Sequence, residues 1–217
     1  MSQSPQTGFD ALRLFVCGVG GLGTLTVAHL LAAASLRAGR SVVTSEVHGM
    51  SQRGGSVQTN VIVGDARSPL IADGAADLFV GLEPLEALRY REKIGFETTA
   101  VVNTERVVPV TVTMGGPEYP DVDEIENTIG ARARDAFFFN ATEVAEELGN
   151  PRAANVVMLG AAFGLAKMPF SEEEFFAVLE KVFPARHLSL NRRAFVRGKQ
   201  TASSYRCKRA MAAGGAT

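Results

Sequence analysis

The sequence predicts an α/β chain built on a doubly wound, mostly parallel sheet with helices on both faces and a helical C-terminal part. Three observations lead there. Short, nearly uncharged stretches of strand length alternate with helix-length segments through the first half, as in strands buried on both faces. A run of glycines, Gly18-Val19-Gly20-Gly21-Leu22-Gly23, joins the first strand directly to the first helix. From Thr142 onward most of the chain reads as helix.

Taken in order, Leu12 to Cys17 is expected as the first strand and Leu22 to Arg37 as the first helix, with Gly39 where a helix-stopping glycine belongs. Ser41 to Ser45 is expected as a second strand. A polar, glycine-rich loop from His48 to Ser56 follows. Val57 to Val63 alternates apolar and polar side chains as a third strand. Asp77 to Gly81 is expected as the fourth strand. A helix follows from Pro84 to about Lys93, its proline in the first turn where no amide hydrogen is missed. Thr99 to Asn103 is expected as a fifth strand, and Val107 to Thr113 as an edge strand. Asp121 to Ala131 reads as an acid-capped helix, Ala136 to Phe139 as a strand, and Thr142 to Leu148 as a short helix. Asn155 to Ala166 is an apolar helix whose Gly160 and Gly164 imply a close neighbour. Ser171 and Glu174 form a capping box for a helix to Lys181. A last basic helix is expected from Arg186 to Lys199. By domain, residues 1–10 are expected to be disordered, 11–183 to form the domain, and 184–217 to be a basic helix with a flexible tail.

The chain has 217 residues, 46% apolar and 21% charged, with a formal net charge of −1. That is an ordinary globular composition and gives no general reason to expect nucleic acid. The charge is uneven. From Ala185 on, Arg186, Arg192, Arg193, Arg197, Lys199, Arg206, Lys208 and Arg209 occur with no acid. A basic end on an acidic body can dock on a partner subunit, a polyanion or a lipid surface, or stay a solvated helix with a frayed tail. Cys17 in a buried strand and Cys207 in the tail are poor disulfide partners, which fits a reducing cytoplasm. No Cys-x-x-Cys run offers thiolates to an iron–sulfur cluster. Leu14 to Leu36 is uncharged and long enough to span a bilayer. It nevertheless divides into strand, glycine turn and helix, so no membrane span is expected. The N-terminus has neither the basic region nor the cleavage site of a signal peptide.

Two segments can carry chemistry. Gly18, Gly20, Gly21 and Gly23 match G-x-G-x-x-G after a strand and before a helix, the Rossmann-like arrangement. There glycine permits close backbone approach and the helix N-terminus offers free N–H groups to an anion. Glu46 follows about 20 residues on, where a dinucleotide enzyme places its ribose-binding acid. This leaves open a free-standing NAD-dependent oxidoreductase, and equally glycines that only let helix and strand pack. The second segment runs Ser45-Glu46-Val47-His48-Gly49-Met50-Ser51-Gln52-Arg53-Gly54-Gly55-Ser56. It gathers an acid, an imidazole, an amide and a guanidinium around glycines, and Arg53 can hold a phosphate or carboxylate in a bidentate fork. The bland alternative is a loop whose polar groups satisfy one another.

These strings, with Ser68-Pro69-Leu70-Ile71, Ala76-Asp77, Gly81-Leu82-Glu83-Pro84-Leu85-Glu86-Ala87 and Asn155-Val-Val-Met-Leu-Gly160-Ala, resemble the gamma-type domain of 2-oxoacid:ferredoxin oxidoreductases. The likeness is nearest to the indolepyruvate branch, whose beta subunit is this domain alone. It runs from about Leu12 to Phe183. One departure is Leu22, where the family usually has glutamine.

The resemblance implies a subunit of a complex that oxidatively decarboxylates a 2-oxoacid with coenzyme A and passes electrons to ferredoxin. Thiamine diphosphate, magnesium and the iron–sulfur clusters would sit on a partner alpha subunit, with no cofactor on this chain. Glu46 and His48 are then the candidate catalytic side chains. Gly18, Gly20, Gly21, Gly23, Gln52, Arg53, Gly54, Gly55 and Ser56 are the candidates for ligand or interface contact. Glu83 reads either as a site residue or as a favourable charge at a helix start. His29 and His187 read as structural or surface residues.

Overall fold

A computed structural model describes residues 11–48, 54–66, 68–108 and 118–214. The chain runs β1 (Leu12–Val19), α1 (Thr24–Arg37), β2 (Val42–His48), β3 (Ser56–Val63), β4 (Leu78–Gly81), α2 (Pro84–Arg89), a 3-10 turn (Arg91–Lys93) and β5 (Thr99–Asn103). It continues through α3 (Val122–Gly130), β6 (Asp135–Phe139), α4 (Ala141–Glu147), a 3-10 turn (Pro151–Ala153), α5 (Ala154–Leu165), α6 (Glu172–Val182) and α7 (Ala185–Gly214).

One six-stranded sheet results, in the order β2-β3-β1-β4-β5-β6. β1, β4, β5 and β6 are mutually parallel, and β3 runs antiparallel to both β1 and β2. The side-chain period of two along β1 separates the two cores. Leu14 and Val16 join Val61, Val80 and Val101 on the face covered by α1, α5, α6 and α7. Phe15 and Cys17 join Phe79, Ala100 and Val102 on the face covered by α2 and α3. Because both faces are covered, β1 from Leu14 to Val19 and the whole of β4 are apolar. The stretch read against a membrane span is β1, the turn and α1. Among the described residues no helix is long and apolar enough to cross a membrane.

Four elements differ from expectation, the first being β2, which runs through Glu46 and Val47 to His48 instead of ending at Ser45. The helix expected to Lys93 ends at Arg89, and a 3-10 turn completes it. Val107 and Val108 are not in a strand, and the rest of the expected edge strand lies outside the described residues. The last helix does not stop at Lys199 but continues to Gly214, so Cys207 is an exposed helical residue rather than part of a tail. Residues 1–10 lie outside the described residues.

The extra length of α7 has a physical cause. Ala202 is buried, the Tyr205 hydroxyl donates to the Ala136 carbonyl at 2.7 Å, and Arg209 pairs with Asp135. Further back, Arg192 pairs with Glu180 at 2.5 Å, Arg197 with Glu147 at 3.2 Å, and Lys199 with Glu172. Half of the basic run therefore meets the acidic body of its own chain, which was not among the partners weighed from sequence.

Candidate functional site at the carboxyl edge of the sheet

β1, β4, β5 and β6 all end at one edge, and antiparallel β3 begins there. Register places Ser56 beside Val19 and Val57 beside His48. The glycine turn, both ends of the His48–Ser56 loop and the start of α2 therefore share one edge of the molecule. α1 leaves β1 towards one face and α2 leaves β4 towards the other. That switch between neighbouring parallel strands opens a crevice in doubly wound folds.

Backbone hydrogen bonds join the glycine turn to the loop. Gly20 N donates to Gly55 O at 2.7 Å, and Gly54 N donates to Gly20 O at 3.2 Å. Gly23 has φ 83°, and a Cβ there would lie 2.4 Å from Asn155 Nδ2. That amide donates to Leu22 O at 2.7 Å, so the third glycine makes room for a side chain of α5. A Cβ at Gly18 would lie 2.9 Å from Thr24 Oγ1 and 3.1 Å from Leu82 Cβ. Over the turn lies a mainly apolar cleft of about 410 Å³ lined by Val19, Gly21, Thr24, Leu25 and Val57.

Two buried carboxylates sit one helical turn apart beneath this edge. Glu83 caps α2 by accepting from Glu86 N at 2.8 Å. Its other oxygen accepts from Val107 N at 3.4 Å and from the Tyr119 hydroxyl. Burial raises the Glu83 carboxyl above the ordinary carboxylate value, against these hydrogen bonds. Burial first, then the bond to Glu83, raises the Tyr119 phenol. Glu86 accepts from Ser56 Oγ at 2.5 Å and from Arg89 Nη1 at 2.6 Å. Cys17 lies below, its thiol raised first by burial and then by Glu86 and Glu83, so it stays protonated and unreactive. On the α5 side of the turn a second crevice of about 260 Å³ is lined by Gly21, Leu22, Asn103, Thr142, Arg152 and Asn155.

A scan against protein families matches residues 13–201 to pyruvate ferredoxin/flavodoxin oxidoreductase. The chain belongs to that oxidoreductase family. It is 42% identical to the indolepyruvate oxidoreductase subunit IorB of Archaeoglobus fulgidus, over 90% of this chain and 97% of that one. It is 38% identical to the subunit of the same name from Methanothermobacter thermautotrophicus, over 84% of this chain and 93% of that one. Among solved structures, the keto/oxoacid ferredoxin oxidoreductase gamma subunit of Geobacter sulfurreducens superposes with a TM-score of 0.65, at 22% identity, covering 89% of this chain and 99% of that one. The 2-oxoglutarate:ferredoxin oxidoreductase of Magnetococcus marinus, with 2-oxoglutarate, coenzyme A and succinyl-CoA bound, gives 0.67 at 26% identity, covering 91% of this chain but 32% of that longer one.

Within this oxidoreductase fold the expected site residues separate into three groups. Gly18, Gly20, Gly21, Gly23, Gly54, Gly55 and Ser56 come together. Gln52 and Arg53 lie outside the described residues, as does the side chain of His48. Glu46 is exposed on β2, opposite Thr59, and not at the turn. The sheet order explains this. A dinucleotide fold places the acid-bearing second strand next to the first. Here β3 lies between them, which moves Glu46 about 10 Å outward, two strand spacings from β1. The alternative of a free-standing NAD enzyme is therefore not favoured by fold or family. Glu83 occupies the helix-start position, where its side chain caps α2. The residues that sequence reasoning missed are Glu86, Tyr90, Tyr119, Arg152 and Asn155. Glu83 and Glu86 carried a signal, since two acids three apart at a proline-started helix share one turn.

Among the described residues, no group of three His, Cys, Asp or Glu side chains is gathered to hold a metal ion. Cys17 and Cys207 lie far apart in the fold, one buried in β1 and one exposed on α7.

Proposed function

We propose that this chain is the small subunit of an indolepyruvate-type 2-oxoacid:ferredoxin oxidoreductase, inactive without a larger alpha subunit. The observation that carries this reading is near full-length correspondence to indolepyruvate oxidoreductase subunits at up to 42% identity. The net reaction takes a 2-oxoacid, coenzyme A and two oxidised ferredoxins to an acyl-CoA, carbon dioxide, two reduced ferredoxins and a proton. On the partner, carbanion chemistry is supplied by thiamine diphosphate with magnesium, and electron transfer by iron–sulfur clusters. The complex works in the cytoplasm.

This chain contributes its carboxyl edge, which faces the partner and closes the reaction chamber. Gly18, Gly20, Gly21, Gly23, Gly54, Gly55 and Ser56 form the rigid part of that face. His48, Gln52 and Arg53 are proposed to contact the partner through their polar side chains. The crevice beside Arg152 and Asn155 admits an anionic group of coenzyme A, since Arg152 is an exposed guanidinium at its rim.

The test is coexpression with the alpha subunit. Coenzyme A-dependent reduction of ferredoxin is then assayed with indolepyruvate, phenylpyruvate and pyruvate. Activity is expected only from the pair, with arylpyruvates preferred, and Arg152→Ala is expected to raise KM for coenzyme A about tenfold without changing KM for the 2-oxoacid. An inactive pair, or turnover with NAD by the lone chain, overturns the reading.

A further inference from the structure

The end of the His48–Ser56 loop is held by more than sheet pairing. Ser56 Oγ lies 2.5 Å from Glu86 Oε2 and 2.8 Å from the Tyr90 hydroxyl. Ser56 Oγ donates its one hydrogen to Glu86, so the Tyr90 hydroxyl is the donor to Ser56. Each partner is itself immobilised. The Tyr90 ring packs on Phe15 with centroids 5.5 Å apart. Glu86 is 2% exposed, and its second oxygen is held by Arg89. Immediately before Ser56, Gly54 and Gly55 clasp Gly20 through two backbone bonds. The carboxylate thus fixes the point where the glycine turn, the loop and β3 meet, although it lies behind that edge.

We infer that Glu86 is a positioning residue: through Ser56 it sets the geometry of Gly54, Gly55 and Ser56 against the glycine turn, and so the face presented to the partner's reaction chamber. The catalytic use of that face rests on the reading above, whereas the anchoring does not.

Two experiments separate them. In the isolated chain, Ser56→Ala is expected to speed amide hydrogen exchange at Gly20 and Gly54 about tenfold or more while Tm moves by only a few degrees. Unchanged exchange overturns the anchoring, whatever the enzyme does. In the assembled complex, Ser56→Ala and Glu86→Ala are each expected to lower kcat/KM about 10- to 100-fold, the scale of a small misplacement near reacting groups. The double variant should be no worse than either single one, and Ser56→Thr should restore most of the loss. Full activity in an assembled Ser56→Ala complex, or losses that simply multiply in the double variant, overturns the positioning role. If Glu86→Ala does not fold, Ser56→Ala and Ser56→Thr decide alone. An inactive wild-type pair sinks the functional reading, and the exchange experiment still judges the anchor.

Discussion

Two regions of this molecule spend glycine on close approach, and they do so differently. At the carboxyl edge, glycines admit polar partners: Gly20 meets the backbone of Gly54 and Gly55, and Gly23 meets the Asn155 amide. In the seam between α5 and α7, glycines admit apolar packing of backbone on backbone. A Cβ at Gly160 would lie 2.0 Å from Phe195 O, and one at Gly198 would lie 1.9 Å from Val157 O. Around Gly198, buried Ala194 and Ala202 repeat at four-residue spacing on the same face of α7. The first region depends on hydrogen-bond geometry, which a ligand or partner can read. The second depends on volume, which only the fold reads. Substitutions in the seam should therefore cost stability alone, and those at the edge should cost function as well.

The sharpest way to break that contrast is Gly198→Ala. Helix propensity favours alanine by about 1 kcal/mol. Against this, neither backbone can yield at 1.9 Å, so the helices must part; overpacking costs about 1–3 kcal/mol, and so short a backbone contact puts this case at the top of that range, about 3 kcal/mol. We expect a net loss of about 2 kcal/mol, read by circular dichroism as a Tm lower by roughly 4–8 °C. The kcat of the complex that still assembles should be unchanged. A Gly198→Ala chain as stable as wild type would show that the seam is looser than its geometry implies.

Gly23→Ala comes next. Alanine in the left-handed region costs about 1–2 kcal/mol, and its methyl group displaces the Asn155 amide as well. Adding Asn155→Ala removes the obstruction but leaves the strained φ. The double variant should therefore recover only part of the loss in a urea titration. Full recovery would mean that backbone strain is negligible here, and no recovery that the Asn155 contact is.

Legibility in the sequence follows the same division. β1 and β4 were readable because their buried stretches are apolar and glycine follows the one and ends the other, and β5 from its apolar Ala100, Val101 and Val102. Gly160 and Gly164 announced a close neighbour, but not that α7 supplies it through Phe195, Lys199 and Ala202. The insertion of β3 between β1 and β2 was not read, because pairing order depends on contacts between segments distant in sequence. That order is what separates Glu46 from the glycine turn. The second half of α7 was missed because Thr201, Ser203 and Ser204 are poor helix formers. Ser203 and Ser204 turn their hydroxyls back on carbonyls four residues earlier, and tertiary contacts at Ala202, Tyr205 and Arg209 hold the helix. At the site, the loop's composition was legible. Its anchoring on Glu86 and Tyr90 was not, since nothing local pairs Ser56 with a residue 30 positions on.

A smaller effect tests the polar region from within. Glu83 has a folded carboxyl raised above its ordinary value of 4.5 by burial. The folded chain therefore binds this proton more tightly than the unfolded chain. The contribution is fully present below the ordinary value and is lost as pH rises through the raised one. Glu83→Gln removes that dependence. The difference in Tm, variant minus wild type, should become more positive as pH rises above the ordinary value of about 4.5. A flat difference would mean that the hydrogen bonds from Glu86 N, Val107 N and Tyr119 cancel the burial.

The smallest effect belongs to the ion pairs that bind α7 to the body, and it separates charge from packing. Lys199 pairs with Glu172 and also lies 5.7 Å from the Phe163 ring centroid. Both charged groups are partly exposed, so water and salt weaken their attraction, and such pairs contribute about 0–1 kcal/mol. Lys199→Met keeps an apolar stem of similar length on the ring, whereas Lys199→Ala removes stem and charge together. Methionine should cost at most about 0.5 kcal/mol and make Tm less sensitive to 0.5 M sodium chloride. Alanine should cost roughly twice that, with the same reduced salt response. If methionine proves as costly as alanine, charge rather than packing holds this end of the helix. The seam's stability would then not rest mainly on volume, and the contrast with the carboxyl edge would narrow.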